Sequence, residues 1–157
     1  MYKKLYIFMF IFVFVDQITK GLVDLNIGLN QSISLIPNFF SLTYVHNTGA
    51  AFSMFEGARW IFVIIAIIFL NVIFQFFIKN KNLSKKDIII YALLLAGIIG
   101  NLIDRILYGY VIDFLDFTIF GYDFAIFNLA DTFIVISIIL ILIFMGDKKC
   151  KNLEQKM

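Results

Sequence analysis

The sequence predicts an all-α membrane protein: four transmembrane helices in one bundle, with short exterior strands and a short surface helix. Three observations carry this expectation. Of 157 residues, 62% are hydrophobic and only 15% charged, with a mean hydropathy of +0.95, well beyond soluble composition. Four segments each supply the roughly 20 apolar residues that a helix needs to cross a bilayer core. Lysines gather at alternate ends of those segments, which assigns these ends to one face of the membrane.

The first span covers about residues 5–24. Lys3, Lys4 and the apolar run after them imitate a signal peptide, but Asp16-Gln17-Ile18-Thr19-Lys20 follows where a small-residue cleavage site would stand, so the segment reads as an uncleaved span. Residues 25–58 form an exterior segment. Within it Ser32-Ile33-Ser34-Leu35-Ile36 and residues 39–45 alternate around Pro37-Asn38 and read as short strands. Residues 48–55 turn small and then amphipathic, as a brief helix lying on the membrane surface would.

The second span is about 59–78, interrupted by Asn71 and Gln75. A basic linker, residues 79–86, leads to a third span at about 87–107. A second exterior segment, 108–125, precedes a fourth span at about 126–145. Lys3 and Lys4, then Lys79, Lys81, Lys85 and Lys86, then Lys148, Lys149, Lys151 and Lys156 all fall on one side. The positive-inside rule makes that side the cytoplasm, with both termini in it. Residues 1–157 are thus expected to form a single integral-membrane domain.

Composition also excludes. With no basic face or aromatic-interleaved basic stripe, nucleic acid is not an expected partner. Cys150 is the lone cysteine and His46 the lone histidine. A metal site would rest on carboxylates almost alone, which zinc rarely accepts, so neither metal nor cofactor is expected.

Ionisable groups at membrane depth are costly and need a reason. Asp113 and Asp131 flank the one out-and-back hairpin between the third and fourth spans. They read either as a carboxylate pair that shares a proton and activates water, or as two acids solvated in an exterior loop. Asp16 and Lys20 share a helix face in the acid-first order and read as a structural ion pair, with Lys20 snorkelling outward. Asn101, Asp104 and Arg105 make a polar face near the outer end of the third span. There Arg105 can fork onto a carboxylate or a lipid phosphate, or anchor the helix end by an ion pair at the headgroups. Asn128 can cap the fourth helix or bond the acid at 131. Asp116 reads as solvated or structural and Asp123 as a turn residue. Ala92, Ala96 and Gly100 recur every four residues, the small-xxx-small pattern of close helix packing. The polar groups all converge on the outer half of the membrane.

In order, the polar segments are Asp16-Gln17-Ile18-Thr19-Lys20, Asn47-Thr48-Gly49-Ala50-Ala51-Phe52-Ser53, Gly100-Asn101-Leu102-Ile103-Asp104-Arg105, Val111-Ile112-Asp113-Phe114 and Phe127-Asn128-Leu129-Ala130-Asp131. Five such segments on a four-span frame resemble the lipoprotein signal peptidase (signal peptidase II) family over essentially the whole chain. The resemblance implies a bacterial cell-membrane aspartic protease with four helices, an exterior β-cradle and a short surface helix. Such an enzyme cleaves signal peptides just before a diacylglyceryl-modified cysteine. It implies that Asp113 and Asp131 are the catalytic pair, and that Asp16, Lys20, Asn47, Gly49, Asn101, Arg105, Asn128 and Ala130 support them or contact substrate; Asp104, on the polar face of the third span, is expected to join them. The implied partners are lipid-modified prolipoproteins, membrane lipid and globomycin-type cyclic peptide inhibitors, with the enzyme a monomer. The family often carries Pro where Ala125 stands, a departure that touches loop stiffness and not the pair.

Other readings of the same residues are a proton-coupled transporter, a non-catalytic assembly subunit and a serine–lysine peptidase. The polar groups cluster in one leaflet, and the inner half offers only Asn71 and Gln75 to continue a proton path, which counts against transport. No Gly-x-Ser-x-Gly motif is present, and no serine matches the face of Lys20.

Overall fold

A computed structural model describes residues 2–49, 54–79 and 83–154, with side chains described except at 77–79 and 145–154. Among these residues there are four helices and a four-stranded antiparallel sheet. The order is α1 (Tyr2–Asn26), β1 (Ser32–Ile36), β2 (Phe40–Asn47), α2 (Arg59–Lys79), α3 (Lys85–Leu107), β3 (Val111–Ile119), β4 (Tyr122–Asp123) and α4 (Leu129–Glu154). The molecule is therefore mostly helical rather than all-α. Among the described residues three helices are long and apolar enough to cross a membrane, and α4 contributes a shorter apolar stretch, Leu129–Phe144.

α3 is the central helix. Its Ala92 and Ala96 are fully buried, and the small-residue face lets neighbouring backbones approach closely. A Cβ on Gly97 would collide with the Ala130 carbonyl oxygen and Ile134 of α4. One on Gly100 would lie 2.5 Å from an Asp16 carboxylate oxygen and 3.2 Å from the Ala130 Cβ. α1, α3 and α4 thus meet where the polar residues are. α2 is exposed along most of its length, with Ile61, Ile64, Ile68, Phe69 and Val72 all more than half accessible, as expected of a helix facing lipid. Leu5, Ile73, Ile88, Tyr91, Ala92 and Leu95 pack a core at the lysine-rich end. A second core of Val23, Ile27, Tyr44, Ile112 and Phe114 seats the sheet on the end of α1.

Strands run in the order β1-β2-β3-β4. β1 matches the sequence expectation, and β2 runs two residues further, to Asn47. β3 was not anticipated as a strand. It pairs with β2 in a register that sets Val45 opposite Asp113 and Asn47 opposite Val111. On its other side the returning chain bridges Leu115 to Phe127, with Leu115 N donating to Phe127 O at 2.7 Å. That second pairing goes with a start of α4 at Leu129 in place of 126, because Phe127 is bridged to Leu115 before the helix begins. The turn between β3 and β4 places Phe120 and Gly121 at positive φ, 53° and 80°, as a tight hairpin requires. Asp123 therefore lies in β4, just past the turn, and accepts from Thr118 Oγ1 at 2.8 Å. Asp116 accepts from Thr43 Oγ1 at 2.6 Å, a structural role.

The surface helix expected over residues 48–55 falls partly outside the described residues. Of its flanks, Thr48 and Gly49 bend and Met54–Gly57 turn. Tyr44 and His46 tie β2 to α1. The Tyr44 hydroxyl donates to Asp24 and lies 2.7 Å from His46 Nε2, and the imidazole stacks on Tyr110 at 3.6 Å. Burial pushes this imidazole below its ordinary pKa, opposed by the Asp24 charge.

Candidate active site

Asn128 stands just before α4, and the first turn of the helix is built by reciprocal capping. Asn128 Oδ1 accepts from Asp131 N at 3.0 Å, and Asp131 Oδ2 accepts from Asn128 N at 3.2 Å. This is a capping box made with Asn and Asp, and it fixes the Asp131 carboxylate at the helix entrance. The Asn128 amide is fully buried. Its Nδ2 donates to Asp113 Oδ1 at 2.6 Å and lies 3.1 Å from Asn101 Oδ1. One asparagine therefore holds both carboxyls, Asp113 through its side-chain amide and Asp131 through its backbone N–H.

The remaining oxygens are also held. Asn101 Nδ2 donates to Asp131 Oδ1 at 2.7 Å, and Asn47 Nδ2 donates to Asp113 Oδ2 at 2.8 Å. Asn47 Oδ1 accepts from Gly49 N at 2.9 Å. The Gly49 carbonyl accepts from Arg105 Nη2 at 3.0 Å. Arg105 also lies 4.9 Å from the Phe62 ring and forms no ion pair among the described residues. Its fork reaches backbone carbonyls, where the sequence suggested a carboxylate or headgroups.

Beneath the acids lies a second cluster. Lys20 Nζ contacts Asp16 Oδ2 at 2.9 Å, Asp104 Oδ2 at 2.8 Å and Asn101 Oδ1 at 3.0 Å, which uses all three of its protons. Lys20 is 2% exposed and Asp16 is 0% exposed, so the lysine is sealed inside the bundle and does not snorkel. Asp16 Oδ1 accepts from Ala130 N at 2.9 Å, an otherwise orphaned donor in the first turn of α4. Asp104 Oδ2 is also 3.3 Å from Ile112 N, beside Asp113. The cluster thus pins both chain segments that carry the two acids, and the small Ala130 side chain lets α4 approach α3.

All the residues singled out from sequence, Asp16, Lys20, Asn47, Gly49, Asn101, Asp104, Arg105, Asp113, Asn128, Ala130 and Asp131, are brought to this one place. Sequence reasoning missed Gln17, whose Nε2 donates to Asp104 Oδ1 at 2.9 Å. Its place between Asp16 and Lys20 was the available signal. It also missed Phe62, which lines the site and carries no signal that separates it from any other lipid-facing Phe.

Asp113, Asp131, Asn47, Asn101 and Arg105 open onto one cavity of about 340 Å³, also walled by Ala125, Ile126 and Phe127. Asp113 is 2% exposed. Burial and, second, the Asp131 charge raise its pKa to about 7, against the hydrogen bonds from Asn47 and Asn128. A carboxyl with that pKa is able to carry a proton at neutral pH beside a charged neighbour. Among the described residues no three His, Cys, Asp or Glu side chains converge to hold a metal. The arrangement suits the activation of water between two carboxyls.

Residues 8–146 match the family model for signal peptidase (SPase) II. Lipoprotein signal peptidases of Staphylococcus aureus strains JH9 and Newman are each 44% identical over 128 residues, 82% of this chain and 78% of theirs. A bacterial membrane enzyme solved by the in meso method at 2.3 Å superposes with a TM-score of 0.84 at 38% identity, covering 94% of this chain and 90% of that one. Another, at 1.9 Å, gives a TM-score of 0.81 at 40% identity, over 90% and 91% of the two chains.

Proposed function

The chain belongs to the signal peptidase II family, membrane aspartic peptidases that process prolipoproteins, and from that premise we propose that Asp113 and Asp131 are its catalytic pair. The observation that carries this reading is Asn128, whose side-chain amide holds the Asp113 carboxyl and whose backbone N–H holds the Asp131 carboxyl at one cavity, with the Asp113 carboxyl pushed up to about 7. Asp113 enters the reaction protonated and donates to the scissile carbonyl oxygen. Asp131, ionised, takes a proton from water as the water oxygen attacks the carbonyl carbon. As the C–N bond breaks, Asp131 passes that proton to the leaving nitrogen and Asp113 recovers its own from the collapsing hydroxyl. Asn47, Asn101 and Asn128 keep the two carboxyls in place through both steps, and Arg105 holds the bend at Gly49, after β2, beside the cavity.

The substrate is a prolipoprotein cut before its diacylglyceryl-cysteine. An apolar groove of about 280 Å³ between α2, α3 and α4, lined by Phe69, Leu94, Ile98, Ile134 and Ile138, shares Phe62, Asn101 and Arg105 with the catalytic cavity. Acyl chains lying there bring the peptide bond to the acids. Each buried methylene contributes about 0.8 kcal/mol, and binding energy remote from the reacting atoms can be used to orient them. Cleavage of a lipidated precursor is therefore expected, with negligible cleavage of the same precursor lacking the lipid, read by gel shift. Equal cleavage of both forms would reject lipid recognition while leaving the peptidase assignment standing. Globomycin-type cyclic peptides are expected to compete for the same cavity and groove.

The enzyme works as a monomer and one integral-membrane domain of four spans. Its lysine-rich ends are cytoplasmic and its sheet and acids lie toward the exterior. Cys150, whose side chain is outside the described residues, tests the sidedness. A membrane-impermeant thiol reagent is expected to leave it unlabelled in intact cells and to label it in inside-out vesicles. Labelling from outside would place the acids on the wrong face.

A further inference from the structure

We propose that the lysine-rich end of the bundle binds one anionic glycerophospholipid in a groove between α1 and α3, separate from the catalytic site. The groove, about 350 Å³, is lined by Lys4, Ile7 and Phe8 of α1 and by Lys85, Ile88 and Ile89 of α3. The two helices present the same spacing, a lysine followed at i+3 and i+4 by two apolar residues, which puts all three on one face of each helix. Each wall thus carries an ammonium at its lip and two apolar side chains one turn deeper. The floor is firm. Ile88 is 6% exposed and packs in a core with Leu5 and Tyr91, against which Phe8 also packs.

Hydrocarbon is what surrounds such a groove on the flank of a membrane bundle, so an acyl chain fits its walls. The lysines select the headgroup. Lys4 and Lys85 are both exposed, and among the described residues neither forms an ion pair. The Asp87 carboxylate beside them is buried and accepts from Ser84 N at 2.9 Å as part of the α3 cap. The Lys86 ammonium is 5.4 Å from the Phe144 ring. Two cations at the mouth of one apolar groove match a phosphodiester with a net negative charge. A zwitterionic headgroup would bring its own cation to compete with them. Lys4 precedes Asp16 on α1 by roughly 18 Å along the helix, so this site is remote from the acids.

The test is native mass spectrometry of the full chain released from detergent micelles. The micelles carry phosphatidylglycerol, or phosphatidylcholine with the same acyl chains, and thermal denaturation is read in parallel. The wild type is expected to retain one phosphatidylglycerol in preference to phosphatidylcholine. Lys4→Gln/Lys85→Gln is expected to bind it about thirtyfold more weakly, the factor for two ammonium contacts at a bilayer surface. A variant that fills the groove and keeps both lysines, Ile7→Trp/Ile89→Trp, is expected to lose the lipid as well. Prolipoprotein cleavage in detergent, unchanged in the lysine variant, verifies its fold. Equal retention of the two lipids by the wild type, or phosphatidylglycerol retained undiminished by either variant, would overturn the site. A thermal shift from inorganic phosphate equal to that from the lipid would overturn the lipid assignment.

Discussion

Asp113→Asn and Asp131→Asn are each expected to lower single-turnover cleavage of a lipidated precursor by about ten-thousand-fold, and the double replacement to be no worse. Residues that act as one unit fail together, so their losses do not add. The chemistry requires one proton between the two carboxyls, and an amide cannot exchange it. Activity against pH should be bell-shaped, with its alkaline limb near pH 7, where the pair loses the proton that Asp113 holds. The limbs report apparent values of the pair, not of either residue alone. Stability should move in the complementary sense. Asp113 is raised in the folded state from 3.8 to about 7. Its contribution to stability is therefore full below pH 3.8 and is lost as pH rises toward 7. Asp113→Asn removes that loss, so its melting temperature should gain on the wild type between acidic and neutral pH. Residual cleavage close to the wild-type rate by either folded single variant would return the acids to a structural role.

Lys20→Met should produce the largest loss of stability of any single replacement in the polar cluster. The ammonium is sealed between Asp16 and Asp104, at 2.9 and 2.8 Å. Removing it leaves two buried carboxylates facing each other, and breaking a buried pair costs about 3–5 kcal/mol. Asp16→Ala should be milder, because Lys20 keeps Asp104 and Asn101. It should still loosen the start of α4, whose Ala130 N–H loses its acceptor. Thermal denaturation in detergent ranks the variants. If Asp16→Ala proves as damaging as Lys20→Met, the cluster is a simple Asp16–Lys20 pair with Asp104 a bystander.

The difference between those two expectations marks what the sequence could reveal. Helical spacing exposed the Asp16–Lys20 pair, since residues four apart share a face. The second partner, Asp104, lies on another helix, and only the bundle geometry supplies it. Spacing likewise set Asn101 and Arg105 on one face of α3 and Asn128 beside Asp131. It could not show that Asn101 receives Lys20 and hands its amide to Asp131. The apolar helices were legible because burial in lipid writes a continuous hydrophobic run. Their ends were less so, and α4 begins late because Phe127 is drawn onto Leu115 of β3.

β3 was legible in principle. Val111 to Ile119 is rich in β-branched and aromatic residues and is followed by the turn residue Gly121, a strand signature. Its two aspartates made the segment look like a solvated loop. In fact Asp113 is buried by its neighbours, while Asp116 pairs with Thr43. The register that sets Val45 opposite Asp113, and so brings Asn47 within reach of that acid, depends on the β-bulge in the β2–β3 pairing, which local sequence does not disclose.

If Asp113 and Asp131 share one proton, the Asp113 carboxyl must titrate with its partner. Infrared difference spectroscopy on isotope-labelled aspartate reads that titration, with Asp113→Asn as the blank. The expected result is a protonated carboxyl that disappears with a midpoint near pH 7 in the wild type. In Asp131→Asn the midpoint should fall, because the Asp131 charge is one of the two causes that raise it. A wild-type midpoint in the ordinary carboxylate range near 3.8, or a midpoint that Asp131→Asn leaves unmoved, would contradict the shared proton.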